Sequence, residues 1–345
     1  MGAEYKWREI TYRGRRAAEI TACPGELPLL EVPETVVLRD ADLPREAVAT
    51  RETEQPRETE PSRHTEPPRS AETLTVVSLA KAALRGSETV QTVCLPETLV
   101  SLGDFAFYGC SALRELSFYD TLKEVGDGAV RACPSLKLLC LRVGAERESQ
   151  AQPFRGLKSF LADSDFSVTV RIEWASQPAE LYFPSFVNDF DEDTMARAIH
   201  PRIEGCGCAY REMLTRTQVN FRGYDQLFPR AAADGPAIAS RVALSRLRCP
   251  AELSREAELQ YENYLREQSA ALMPHLIREG RKQDLSLLIT RGLLTEEALE
   301  RGISLSSEGR NTEICGMLMA YHGKHLREAR GEAGAGSRFG GDFVL

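Results

Sequence analysis

The sequence predicts an α+β chain in which a short solenoid of stacked repeats is followed by an α-helical domain. Three observations carry this expectation. A 23-residue self-similarity runs from Val76 to Leu139, helical apolar periodicity takes over after Pro236, and a second self-similarity, of offset 29, links Glu279–Ile289 with Glu308–Leu318.

The first repeat is read by sliding the stretch that begins at Leu95 along the chain. Leu99 recurs as Leu122, Gly103 as Gly126, Ala106 as Ala129, Cys110 as Cys133, Leu113 as Leu136 and Leu116 as Leu139. Stepping back by the same interval reaches Val76, Leu79, Ala83, Gly86, Val90 and Val93, a degraded third copy. One such unit cannot bury its own apolar face, so neighbours must stack and equivalent side chains lie one above another. Phe107 is expected to meet Leu84 and Val130, and Cys110 to meet Cys133. Leu113-x-x-Leu116 and Leu136-x-x-Leu139 read as the short strands. Gly103 and Gly126 read as turn positions that avoid a Cβ penalty.

The pattern LPxTLxxLGxxAFxxCxxLxxL resembles the BspA-type leucine-rich repeats of bacterial surface and gut-associated proteins. The resemblance covers about residues 1–143 and implies a leucine-rich-repeat solenoid that binds protein. It extends to the N-terminus, where an aromatic strand leads into Ala18-Glu19-Ile20-Thr21, and where Val32-Pro33-Glu34-Thr35-Val36 mirrors Leu95-Pro96-Glu97-Thr98-Leu99. From Pro96 to Leu102 is six residues, but from Pro33 to the matching Leu79 is 46, so about forty residues interrupt the first coil. The interrupting segment, about 40–73, is rich in Pro, Glu and Arg with almost no large apolar residue. It is expected to be a disordered loop, either a flexible ligand or a neutral insertion.

Beyond Val143 the repeat stops. Residues 144–234 read as a mixed α+β segment. Phe166–Trp174 alternates as a strand, either one more solenoid strand or the start of a new unit. Asp191 or Asp193 is expected to open a helix through Met195, Ala198 and Ile199, because acids favour helix N-termini. An α-helical domain follows over 235–326. One helix ends at Pro250, and a longer one is capped by Ser254, carries Leu259, Tyr264 or Tyr261, Leu265 and Leu272 on its apolar stripe, and breaks or kinks at Pro274. The offset-29 repeat resembles the second helix of ankyrin repeats and equally suits a plain helical bundle. Residues 327–345, Gly-rich, are expected to be a disordered tail.

No Gly-x-Ser-x-Gly elbow, phosphate-binding loop, dinucleotide glycine pattern or His-Glu-x-x-His helix occurs, and no cofactor is expected. The five histidines have no evident acid or nucleophile partner, and His275, after Pro274, reads as a helix-start residue. Cys206-Gly-Cys208, six residues after His200, is the nearest approach to a metal constellation. It lacks the paired clusters of structural zinc and reads as two thiols at a turn or helix start, so no metal is expected. A net charge of −8 argues against nucleic acid, and no apolar stretch approaches a membrane span. Nine cysteines, an odd number, at a chain start without a signal-like stretch suit free thiols in the cytoplasm.

The expected function is therefore a non-catalytic protein-protein interaction scaffold for an unnamed protein partner. Its contact residues are the outward positions of the strand turns, Arg114, Glu115, Ser117, Lys137 and Arg142. Two other classes stay open. A regulatory or effector enzyme would bring His200, Cys206, Cys208 and Asp191 into one cleft within 181–250, and a surface adhesin would require export.

Overall fold

The computed structural model describes residues 5–38, 72–144, 152–174, 177–193 and 198–335. Two compact units emerge, Met1–Pro178 with Leu214–Val219, and Ala179–Met213 with Asn220–Leu345.

The first unit opens with a hairpin, β1 (Lys6–Tyr12) and β2 (Arg15–Ala22), joined by the two residues Arg13 and Gly14. Both have positive φ (51° and 75°), the backbone of the tight turns that match strand twist. Then come β3 (Leu29–Glu31), β4 (Thr35–Val37), β5 (Thr73–Leu79), β6 (Thr92–Cys94), β7 (Ser101–Leu102), β8 (Glu115–Tyr119), β9 (Glu124–Val125) and β10 (Leu138–Arg142). Helix α1 (Arg155–Ala162) and strand β11 (Val168–Glu173) close the unit. Each coil gives one strand to each of two sheets. One sheet is the parallel ladder β3-β6-β8-β10-β11; the other runs β1-β2-β5-β7-β9, with β4 antiparallel to β5.

The 23-residue period is the register of both sheets: Leu116 pairs with Val93 and Leu139, and Ser101 with Ser78 and Glu124. In-phase stacking seals the core, where Ala106, Phe107, Leu113, Leu116, Ala129 and Val130 are all 0% exposed. Leu29 pairs with Thr92 at an offset of 63, forty more than the repeat, as the sequence arithmetic required. Residues 40–71, the body of the expected disordered loop, lie outside the described residues.

The glycines act differently from expectation. Neither Gly103 nor Gly126 has positive φ. A Cβ on Gly103 would lie 2.4 Å from the Lys81 nitrogen, and one on Gly126 2.3 Å from the Asp104 nitrogen. They are glycines because adjacent coils touch backbone to backbone there. The left-handed turns fall elsewhere and tolerate side chains: Ala82, Phe105 and Gly128 form one column of positive φ, and Gly86, Gly109 and Ala132 the other. The repeated cysteine also has a definite task. Cys110 Sγ donates to the Leu84 carbonyl and Cys133 Sγ to the Phe107 carbonyl, each at 3.1 Å. The thiol donates to a carbonyl of the preceding coil that sheet pairing does not reach; the Phe107 carbonyl also accepts from the Cys110 N–H at 3.2 Å.

The second unit begins with β12 (Ala179–Phe183), followed by β13 (Val187–Asp193) and β14 (Ala198–Glu204). These last two form an antiparallel hairpin in which Asp191 pairs with His200. The helix expected through Ala198 and Ile199 is therefore a strand; extended pairing overrides the N-terminal preference of the acidic run. Helices α2 (Gly207–Glu212), α3 (Phe221–Gln226), α4 (Phe228–Asp234) and α5 (Pro236–Arg248) follow, and α5 packs on β12. Helix α6 (Arg255–Arg278) is capped by Ser254, whose hydroxyl accepts from the Ala257 N–H, as expected. It then passes through Pro274 without ending, so His275 lies in its last turn rather than at a helix start. Its buried stripe is Ala257, Tyr261, Leu265, Ser269, Leu272, Met273 and Leu276, while Leu259 is 41% exposed. Of the two candidate tyrosines the stripe takes Tyr261, whose hydroxyl donates to Asp225 at 2.7 Å, while Tyr264 is half-buried.

Helices α7 (Lys282–Thr290), α8 (Glu296–Glu308) and α9 (Thr312–Ala335) complete the unit. Three helices end alike, with a left-handed residue closing paired bonds to the last turn: Gly280 with Arg281 after α6, Gly292 with Leu293 after α7, and Arg310 with Asn311 after α8. The caps align Gly280 with Arg310 and Leu288 with Leu318 at an offset of 30, while Leu285 and Ile314, also both fully buried, keep the offset of 29. Helix α9 runs to Ala335, past the tail expected from 327, and residues 336–345 lie outside the described residues.

An ion-pair network at the centre of this unit escaped sequence reading. Arg246, 0% exposed, grips Asp225 through Nε (2.7 Å) and Nη2 (3.0 Å) and also donates to the Ala251 carbonyl. Arg248 reaches both Glu180 and Asp284, two carboxylates that are almost fully buried. Tyr224 ties β12 to α3, accepting from the Tyr182 N–H and donating to its carbonyl.

Candidate functional site

The solvent side of the ladder is built column by column. Leu116, Phe118, Leu139 and Leu141 point inward, so the alternate positions of each strand face out. At the strand entrances Gln91, Arg114 and Lys137 form an exposed column, held by backbone bonds from Arg114 N–H to Gln91 O (2.7 Å) and from Lys137 N–H to Arg114 O (2.9 Å). Next come Thr92, Glu115 and Leu138, then Cys94, Ser117 and Cys140. At the strand exits stand Tyr119, Arg142 and Glu173.

Of the five expected contact residues, Arg114 and Lys137 are exposed and Glu115 and Arg142 half-buried. Ser117 is only 3% exposed and is not an accessible contact position. It faces outward, but its short side chain sits low between the longer columns and bonds to the Cys94 thiol. Tyr119 and Glu173 were not singled out from the sequence, although Tyr119 lies one alternation beyond Ser117. They organise the exit column: the Arg142 guanidinium lies 5.7 Å over the Tyr119 ring and 3.1 Å from Glu173. Burial works against the charge on Arg142, but hydrogen bonds to Tyr119 and Glu173 outweigh it and raise its pKa. The face thus has a basic column at one end, a stacked Tyr-Arg-Glu column at the other and a shallow floor of small side chains between them.

The floor is chemically quiet at neutral pH. Burial, reinforced by Glu173, pushes the Cys140 thiol up to about 12, and burial also raises Cys94. In the second unit, Cys206 stands at the start of α2 with its N–H 2.6 Å from Asp234 Oδ2. Burial and then Asp234 push its thiol up to about 12, so it is held as the neutral thiol rather than the nucleophilic thiolate. Its glycine neighbour Gly207 is a packing residue, since a Cβ there would lie 2.2 Å from the Pro184 carbonyl. Asp191 and His200 are a register pair of the hairpin, and their side chains lie outside the described residues. Among the described residues no group of three or more His, Cys, Asp and Glu side chains could hold a metal ion, and no helix is long and apolar enough to cross a membrane.

Residues 75–151 match the model of the BspA type leucine rich repeat region, in six copies. A search of curated proteins finds no match. Among solved structures, the chain is similar to a leucine rich cell surface protein from Faecalibacterium prausnitzii, at 17% identity over 50% of this chain and 32% of that one, with a TM-score of 0.26. It is also similar to leucine-rich repeat proteins from Bacteroides capillosus (16% identity, 39% and 76% covered, TM-score 0.28) and Bacteroides ovatus (18%, 41% and 36%, TM-score 0.24). The chain spans about a third of the length of the first of these proteins.

Proposed function

We propose that this repeat protein is a non-catalytic interaction scaffold that grips a protein partner on the outer face of its ladder. The observation that carries the proposal is the alignment of exposed Arg114 and Lys137 at one end of the floor with the Tyr119–Arg142–Glu173 column at the other. Strand pairing holds these groups in place before any partner arrives, so little ordering entropy is lost on binding. Tyr and Arg are also the side chains that most often anchor protein interfaces.

The test is affinity capture with the full chain and with a triple variant, Tyr119→Ala with Arg114→Glu and Lys137→Glu. The far-ultraviolet circular dichroism and melting of the variant serve as the folding control. A partner retained by the parent and lost by the folded variant is the expected result. Equal retention by both, or no protein above background, overturns the proposal.

The helical unit is proposed to add a second surface, with ankyrin-like pairs formed by α6 and α7 and by α8 and α9. What supports this is the repeated cap after α6 and α8. A cytoplasmic location goes with the same reading and is supported by nine free thiols. Cell fractionation checks it, and recovery at the cell surface would favour an adhesin.

A further inference from the structure

Helices α5 and α6 of the second unit enclose a pocket of about 90 Å³ that the ladder reading does not use. Pro236, Ala237 and Leu244 of α5 line it together with Leu272 and Leu276 of α6 and Arg281 at the start of α7. Three features make this a built site rather than a packing gap. Ser240, 2% exposed, lines it with a hydroxyl that has no hydrogen-bond partner. Such a group costs stability unless something fills its bonding capacity. The N-terminus of α5 begins at Gly235 and Pro236 with no side-chain cap, so the N–H groups of Ala237 and Ile238 and the helix dipole are left for a negative charge. Arg241 and Arg281 both border the space.

The acids nearby are already engaged. Glu279, also in the lining, pairs with Arg241 at 2.9 Å, and Asp284 pairs with Arg281 at 2.5 Å. Burial pushes the Arg281 guanidinium below its ordinary value; Asp284 works against that shift and the positive charge of Arg241 works with it. An anion beside both guanidiniums relieves the repulsion. His275 lines the pocket too, but its Nδ1 contacts Arg278 at 2.9 Å, and the Ser240 hydroxyl bonds to neither His275 nor Glu279. No Ser-His-acid relay is assembled, so the arrangement binds rather than reacts.

We infer that this pocket takes a small organic carboxylate, with its carboxylate at the Ser240 hydroxyl, the α5 N-terminus and Arg281, and its apolar body against Leu244, Leu272 and Leu276. The mixed lining favours a carboxylate with a short hydrocarbon body over inorganic phosphate, which would leave the three leucines facing a fully polar ion.

The experiment is isothermal titration of the full chain with acetate, propionate, butyrate and inorganic phosphate at matched ionic strength, backed by melting shifts. Expected are saturable binding of at least one carboxylate, stronger for propionate or butyrate than for acetate, and binding at least roughly tenfold weaker in Ser240→Ala and Arg281→Met. Ser240→Ala removes only an unpartnered hydroxyl, and Arg281→Met leaves Asp284 paired with Arg248, so both variants should fold. Phosphate binding without carboxylate binding overturns the ligand class. No saturable binding, or parent-like binding by both folded variants, overturns the site.

Discussion

Replacing Gly126 by alanine should destabilise the solenoid more than a glycine-to-alanine change at a turn of the preceding coil. The new Cβ would lie 2.3 Å from the Asp104 nitrogen and 2.6 Å from the Gly103 carbonyl carbon, both backbone atoms of the adjacent coil. Relief requires the coils to part by about 1 Å, which takes N–H···O bonds well beyond their usual ~3 Å. The bonds from Gly126 N–H to Leu102 O (2.7 Å) and from Phe105 N–H to Asp127 O (2.9 Å) bridge that gap. Losing both, with only the Leu102 carbonyl on a buried residue, costs about 2–4 kcal/mol, less ~0.4–1 kcal/mol from the stiffer unfolded chain. For a unit of this size, ~3 kcal/mol corresponds to a melting shift of about 6–12 °C. Gly109→Ala is the internal control. Its φ is +71°, but nothing lies nearer to the added Cβ than Gly86 Cα at 3.9 Å, so the left-handed penalty of about 1–2 kcal/mol remains. Ala132 already occupies the equivalent position one coil later. Calorimetric melting of the full chain compares the two. If Gly126→Ala melts within a few degrees of the parent, or no lower than Gly109→Ala, the coil-contact argument is wrong.

Other expectations follow from the second unit and the thiols. Asp225→Ala leaves Arg246 charged and fully buried and should cost about 3–5 kcal/mol in urea denaturation; a loss below 1 kcal/mol would mean that the pair does not stabilise the fold. Ser254→Ala removes the α6 cap and should cost about 1 kcal/mol by the same assay. Cys133 and Cys206 have folded pKa values raised from about 9 to about 12, so the fold favours the neutral thiol. That stabilisation is complete below pH 9 and is lost as pH rises towards 12. Cys206→Ala should flatten the decline in stability over this alkaline range, as read from denaturation midpoints against pH. In a thiol-reagent titration of the native chain, Cys110, Cys133 and Cys206 should react only on unfolding.

The solenoid was legible because stacking forces one residue type into one column. A shared 23-residue interval in Leu, Ala and Cys therefore is the strand register, read directly from the chain. The same logic could not separate two uses of glycine: the sequence marks Gly103 and Gly126 as special but does not say whether φ or a neighbouring backbone demands it. In the second unit, the acids around Asp191 carry no partner information, and a two-stranded hairpin is decided by pairing across the turn. Arg246 falls on the same face of α5 as Ala239, Val242 and Ala243, but a charged side chain there names no partner; its burial depends on Asp225, 21 residues earlier. Exposure was legible at Arg114 and Lys137, which immediately precede β8 and β10. It was misread at Ser117, because facing outward and reaching solvent are separate properties when a small side chain stands between long ones.

Because β6, β8 and β10 pair at one constant interval, the solenoid can change length only in whole coils. Removing 23 consecutive residues from its middle would return every later side chain to its column. One residue more or fewer would turn the Leu116-type positions towards water and the Glu115-type positions towards the core. Irregular lengths are absorbed only outside the strands, in the 63-residue step from β3 to β6 and the 31-residue step from β10 through α1 to β11. The ladder therefore behaves as a counted object. Its binding face can lengthen by duplication or shorten by excision, but only one full coil at a time.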